Sequence, residues 1–215
     1  LSYISHELRT PITSIAGYLT ALSDGTMSSD KEKAEAMDII TSKTLTLKKL
    51  VDELDQLTKI ETHQFTFNFE SYTAAEATAM MISCSVSDAR SAGFDVYIDY
   101  DANLLSDHWI IIDADRINQV FSNLVNNSIK YSMNTKKLWL DFEIDDNEEN
   151  FVVSVKDSGI GIKDQHISHI FDRFYRADVK DNTLHTIEGR GLGLTLCKEI
   201  INAHQGEIFA ESTYG

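Results

Sequence analysis

The 215 residues predict an all-α helical hairpin followed by an α+β sandwich, and three observations carry that prediction. Up to about residue 62 the apolar residues recur at steps of three and four, interrupted by a single glycine-bearing break, "SDGTMSSD" (23–30). From Phe65 onward the period shifts to two in several short segments. Those segments alternate with helical ones in mixed order, the pattern of helices layered on one face of a mixed sheet.

The hairpin comes first. Leu1, Ile4, Leu8, Ile12, Ile15, Leu19 and Leu22 form one stripe. After the break, Met37, Ile40, Leu47, Val51 and Leu54 form another, with Leu50 and Leu57 widening it. Ser29 or Asp30 is placed to cap the second helix. Two helices bury too little alone, so a stripe this wide predicts a homodimer closing a four-helix bundle. The expected domains are 1–62 and 65–215, with the linker near "ETHQ" (61–64).

In the second part "FTFNFE" (65–70) alternates like a strand, and "TAAEATAMMISCSVSDARSAG" (73–93) reads as a helix ending at Gly93. "FDVYIDY" (94–100) and "WIIID" (109–113) read as strands, and "DRINQVFSNLVNNSIKYS" (115–132) as a helix. "KLWLDFEID" (137–145) and "FVVSVKD" (151–157) form a hairpin across the acidic turn "DNEEN". "GLTLCKEIINAH" (193–204) is the last helix and "EIFAES" (207–212) a closing strand.

Composition narrows the function. A net charge of −15 argues against a nucleic-acid partner, while leaving room for a nucleotide held at a local positive site. Cys84 and Cys197 match no metal or disulfide spacing and read as buried free thiols. His166 and His169 are three apart, but no third ligand accompanies them. No apolar run approaches the ~20 residues of a membrane span. Leu1 opens inside a periodic pattern without an initiator Met or a cap, which reads as a segment of a longer chain.

The stretch "SHELRTP" (5–11) sets a histidine beside a glutamate, five residues before the only proline. At about 100° per residue, His6 falls roughly 165° from the centre of the apolar stripe, so it faces away from the bundle core. Thr10, Thr13 and Gly17 share that outer face. An outward histidine is ordinarily a solvated side chain. Glu7, however, can accept the Nδ1 proton and leave the Nε2 lone pair free to attack. Pro11 cannot donate to the Glu7 carbonyl, so a bend is expected beside His6.

Three further segments suggest a nucleotide pocket. "DSGIGI" (157–162) follows an apolar strand and "GRGLGL" (189–194) opens a helix. Each alone is a common glycine turn, and neither fits the dinucleotide fingerprint or the phosphate-loop lysine pattern. Gly191 and Gly193 let backbone N–H groups approach phosphate at a helix N-terminus, and Asp157 is placed to accept from an adenine amino group. On "NLVNNSIKYS" (123–132), Asn123, Asn127 and Lys130 lie on one face. Surface polarity explains that face as well as Mg²⁺ and phosphate contacts do, until the glycine turns are counted.

Taken in order, these stretches resemble the bacterial sensor histidine kinases. "SHELRTP" resembles that family's H box, "NLVNNSIKYS" its N box and "DSGIGI" its first glycine box. "IFDRFYR" (170–176) resembles the F box, and "GRGLGL" the second glycine box. The resemblance implies a dimerisation and phosphotransfer hairpin followed by an ATP-binding domain of the gyrase, chaperone and histidine-kinase ATPase fold. It implies His6 as phosphoacceptor, Glu7 as general base, and Thr10 as a guide for water when the partner is dephosphorylated. Asn127 would ligate Mg²⁺ with Asn123 assisting, Lys130 would contact phosphate, and Tyr131 would pack beside the nucleotide. Asp157 would read adenine, with Gly159, Gly161 and Ile162 shaping that wall. Residues 176–190 would form a lid over the phosphates, closed by Gly189, Gly191 and Gly193, with Phe171, Arg176, Arg190, Leu192 and Leu194 among the residues that bind the nucleotide. The implied partners are a second copy and a response-regulator receiver domain. A membrane anchor upstream is implied too, making this the cytoplasmic part of a membrane protein.

The chain departs from the family's pattern in places. Lys163 stands where a proline is usual, Arg190 where a small residue is usual, and Gln205 where a glycine is common. The chain stops at "STYG", before the family's last strand. Hydrolysing ATPases of the same fold carry a water-activating glutamate where Asn123 stands, and they have no use for an H box. A dimeric phosphorelay scaffold or pseudokinase that binds a regulator without using ATP is the second rival; the two glycine boxes speak against it, and Arg190 keeps it open.

Overall fold

The structure, a computed structural model, describes residues 2–132, 135–147, 149–176 and 191–214, with the side chains of residues 2–4 and 6 outside that description. Two compact units result, 1–62 and 63–215.

The first unit is a pair of packed helices, α1 (Ser2–Ser23) and α2 (Asp30–Glu61). α1 continues through Pro11, which is buried. It ends where Gly25 takes a φ of 76°, a left-handed turn open to glycine without a Cβ penalty. α2 begins with a reciprocal cap: Ser29 Oγ accepts from Glu32 N at 3.2 Å, and the Glu32 carboxylate accepts from Ser29 N at 3.0 Å. These hydrogen bonds from Ser29 hold the Glu32 carboxyl below its ordinary range.

In the single chain the buried centre of α2 is Ala36, Leu50, Leu57 and Ile60, so the predicted stripe is buried at Leu50 and Leu57 and open at Met37 and Val51. Met37 (53 % exposed), Leu45 (63 %) and Val51 (52 %) stay open, as do Ile12 and Leu19 on α1. One neighbouring helix covers only one arc of an apolar surface that wide.

The second unit sets helices against a mixed sheet. Strands β2 (Asp95–Tyr100), β4 (Lys137–Ile144) and β5 (Phe151–Asp157) run in the order β2-β4-β5, with β2 parallel to β4 and β4 antiparallel to β5. Alternation orients β4: Leu138, Leu140 and Phe142 are buried, while Asp141 and Glu143 are exposed. Onto the apolar face pack Ala77, Met81, Ala89, Phe121 and Val125 of α3 (Ala74–Ser91) and α5 (Ala114–Lys130). A separate antiparallel pair joins β1 (Glu70–Thr73) to β3 (Trp109–Ile112). Short helices α4 (Ala102–Asp107) and α6 (Asp164–Ile167) lie between strands and turns, and α7 (Gly193–Ala203) packs on α5.

Three expectations differ here. Of the stretch 65–70 only Glu70 is in a strand; Phe65, Phe67 and Phe69 instead stack on one another, and the last two edge onto the His204 ring. Residues 207–212 form no strand among the described residues; Ser212 Oγ instead accepts from Ile162 N at 2.8 Å. Alternation supplies a two-faced segment, but a ladder also needs a neighbour at hydrogen-bonding distance. Cys84 is exposed rather than buried. His166 is half-buried, with Nδ1 2.5 Å from Tyr175 Oη.

Candidate nucleotide-binding site

The site is built around α5. Asp113, at the end of β3, caps this helix by accepting from Arg116 N at 3.1 Å. The same buried carboxylate accepts from Asn68 N at 2.9 Å, and the Asp113 N–H donates to His204 Nε2 at 3.0 Å. One residue thus ties the segment before β1, the start of α5 and the end of α7 together. The phase of every later α5 side chain follows from that anchor.

Two turns down, Asn123 is half-buried against α7. Its Nδ2 donates to Cys197 Sγ at 3.8 Å, and a Cβ added at Gly193 would sit 3.9 Å from its Cγ. Burial pushes the Cys197 thiol up to about 12, so it is a neutral SH that donates to Val120 O. α7 starts at Gly193 behind the buried Leu192, and among the described residues no side chain caps it. A helix N-terminus offers N–H donors and the positive end of the helix dipole, which suits phosphate.

Asn127 and Lys130 are half-buried on the last turns of α5. The Lys130 ammonium lies 5.2 Å from the centre of the Tyr131 ring. Burial raises the Tyr131 phenol, and the Arg176 guanidinium opposes that shift, so segment 170–176 comes close to this end of α5.

The glycine turn after β5 closes on the same helix end. Asp157 Oδ1 accepts from Gly159 N at 2.8 Å, and Oδ2 accepts from Ser128 Oγ at 3.0 Å. Ile160 N donates to Tyr131 O at 3.2 Å. A Cβ at Gly159 would stand 2.7 Å from that carbonyl and 2.8 Å from Asp157 Oδ1, so no other residue fits without movement. Gly161 has a φ of 68° and faces the Thr213 carbonyl. Gly191, φ 66°, meets the base of the predicted lid: its carbonyl accepts from Phe174 N at 2.9 Å. Phe171, Phe174 and Tyr175 are half-buried there, and Leu194 is half-buried on the first turn of α7.

The structure therefore brings together Asn123 with Gly193, Asp157 with Gly159 and Tyr131, and Phe174 with Gly191. Gly189, Arg190 and the lid residues 177–190 lie outside the described residues, as does the side chain of His6. Glu7 is half-buried and Thr10 exposed on α1, in the other unit. Ser128 escaped the sequence reading, since nothing local marks a serine inside a helix as the partner of a carboxylate 29 positions away, and Cys197 is buried as expected but without its contact to Asn123 having been read.

A helical hairpin joined to an ATPase-like sandwich, with two glycine turns converging on one helix, defines a phosphoacceptor and nucleotide-binding class of protein. Residues 1–63 match the His Kinase A (phospho-acceptor) domain, and residues 112–215 match the histidine kinase-, DNA gyrase B- and HSP90-like ATPase domain. The chain belongs to the two-component sensor histidine kinases, as their catalytic region. Sensor histidine kinase WalK of Bacillus subtilis is 34 % identical over 99 % of this chain and 34 % of its own length. Sensor protein SrrB of Staphylococcus aureus is 30 % identical over all of this chain and 36 % of its own. The chain thus spans about a third of these relatives. The histidine kinase AdeS of Acinetobacter baumannii superposes with a TM-score of 0.67 at 25 % identity, over 92 % of this chain and 86 % of that one. The histidine kinase ThkA, solved with response regulator protein TrrA, shares the fold with a TM-score of 0.70 at 23 % identity, over 95 % of this chain and 54 % of that one. Among the described residues no helix is long and apolar enough to cross a membrane.

Proposed function

We propose that the chain is an ATP-dependent protein-histidine kinase that phosphorylates His6 and passes the phosphoryl group to an aspartate of a response regulator. The convergence of both glycine turns on α5 carries this reading: Asp157 sits at one end of the helix face and the start of α7 at the other. Adenine would donate its amino hydrogen to Asp157, Tyr131 would pack beside the base, and Lys130 with the first N–H groups of α7 would hold the phosphates. Among the described residues no cluster of acidic, histidine or cysteine side chains could hold a metal. That suits Mg²⁺, which arrives on nucleotide phosphates and takes one or two protein oxygens, here the amide of Asn127 with Asn123 beside it. The ion would neutralise charge on the leaving phosphates.

The His6 Nε2 lone pair attacks the γ-phosphorus, the β–γ bridging P–O bond breaks, and ADP leaves. Glu7 accepts the Nδ1 hydrogen bond and offsets the positive charge that grows on the ring. The phosphohistidine then gives its phosphoryl group to a receiver carboxylate. Thr10 would position water for the reverse duty, dephosphorylating the regulator. The exposed Ile12, Leu19, Leu45 and Val51 support the homodimer, since a second hairpin would cover them. Membrane anchoring and sensing would belong to parts of the protein outside these residues.

Incubation with γ-labelled ATP and Mg²⁺ tests the reading. Acid-labile, base-stable label is expected, and it should vanish in His6→Gln; label retained by that variant overturns the assignment. In Thr10→Ala autophosphorylation should persist while regulator dephosphorylation slows.

A further inference from the structure

We infer that Ser128 sets the adenine selectivity of this site by orienting the carboxylate of Asp157, an inference that rests on the reading of Asp157 as the adenine acceptor. Ser128 is on the buried side of α5, 3 % exposed, and its hydroxyl has a single hydrogen to give. Two acceptors compete for it. The Leu124 carbonyl, one turn back, is 3.3 Å away; Asp157 Oδ2 is 3.0 Å away and is a carboxylate oxygen. The shorter, charge-assisted bond prevails.

The consequence is geometric. Gly159 N holds Oδ1 at 2.8 Å and Ser128 holds Oδ2, so both oxygens are pinned and the carboxylate plane cannot turn about its last torsion. That torsion is otherwise broad. Asp157 itself is exposed at the end of β5, so water would compete for a carboxylate free to rotate. Pinned, it presents a fixed lone pair to an amino hydrogen, and it repels a purine that carries an oxygen there. Nothing else in contact with Oδ2 is recorded among the described residues. Ser128 is thus a positioning residue, acting through Asp157 on one atom of the base.

The test uses a nucleotide lacking that atom. Calorimetry on the 215-residue chain compares ATP with purine riboside 5′-triphosphate, which has hydrogen in place of the amino group. Ser128→Ala should weaken ATP about fivefold, the worth of one lost orienting hydrogen bond, and leave the purine analogue within about twofold. Ser128→Cys, close in size but a poor donor, should do the same, which separates orientation from a packing defect. Asp157→Ala should remove the preference for ATP, and adding Ser128→Ala to it should change nothing. Equal weakening of both nucleotides by the Ser128 variants, or no weakening, overturns the inference while leaving the adenine reading intact. A wild-type preference surviving in Asp157→Ala overturns both.

Discussion

Replacing Gly191 with alanine probes how the second glycine motif joins the segment before it. Gly191 has a φ of 66°, a left-handed conformation that costs an alanine about 1–2 kcal/mol. Its Cβ would stand 2.6 Å from the Tyr175 carbonyl oxygen and 2.7 Å from Phe174 C, with Phe174 Cα at 2.9 Å. Ordinary contact begins at 3.4 Å, so backbone must retreat by 0.8 Å, and no flexible side-chain tip can do it instead. That retreat stretches the 2.9 Å bond from Phe174 N to the Gly191 carbonyl, worth about 1 kcal/mol. Together the cost is about 2–3 kcal/mol, falling on the arrangement that precedes α7. If nucleotide binding requires that arrangement and the strain depopulates it, about 2 kcal/mol lowers MgATP affinity by up to about thirtyfold. Gly193→Ala is the control. Its Cβ would meet only Asn123, at 3.9 and 4.0 Å, and its φ is not left-handed, so the protein has room for it. Calorimetric titration with MgATP, paired with thermal unfolding, reads both variants. Gly191→Ala should lose in both measurements, whereas any loss in Gly193→Ala should appear only in the titration. Binding by Gly191→Ala within about twofold of wild type would refute the reasoning.

The remaining predictions concern the rest of the molecule. Ser29→Ala removes one side of the α2 capping box and should cost about 1 kcal/mol in denaturant unfolding of the hairpin. Because the folded structure lowers the Glu32 pKa, its contribution is present above the ordinary value of 4.5 and is lost as pH falls through the lowered one. Glu32→Gln should therefore flatten hairpin stability between about pH 5 and 3, as followed by circular dichroism. A thiol reagent should modify the exposed Cys84 in the native protein and reach Cys197 only in denaturant, with mass spectrometry counting one adduct and then two. Leu45→Lys with Val51→Lys places charge on the open face of the hairpin and should convert a dimer to monomers in sedimentation; an unchanged mass would mean that another surface joins the copies.

Period and punctuation were legible in the chain. The steps of three and four gave α1 and α2, the Ser29–Glu32 spacing gave the start of α2, and alternation gave β4 and β5 almost to the residue. The ordered motifs named candidate residues, of which Asn123 with Gly193 and Asp157 with Gly159 come together around α5. All of these are local: each depends on side-chain direction or hydrogen-bonding capacity over a few residues, and the chain states those directly. Tertiary structure alone decided which surfaces meet. It put Leu50 and Leu57 rather than Val51 at the buried centre of the hairpin, and left Phe65 to Phe69 stacking beside His204 without a strand partner. It also distinguished Gly191, wedged against Phe174 and Tyr175, from Gly193, which has space, although the motif writes both as the same letter. The pairing of Ser128 with Asp157 spans 29 positions, and only the packing of α5 beside the end of β5 brings those two side chains within a hydrogen bond.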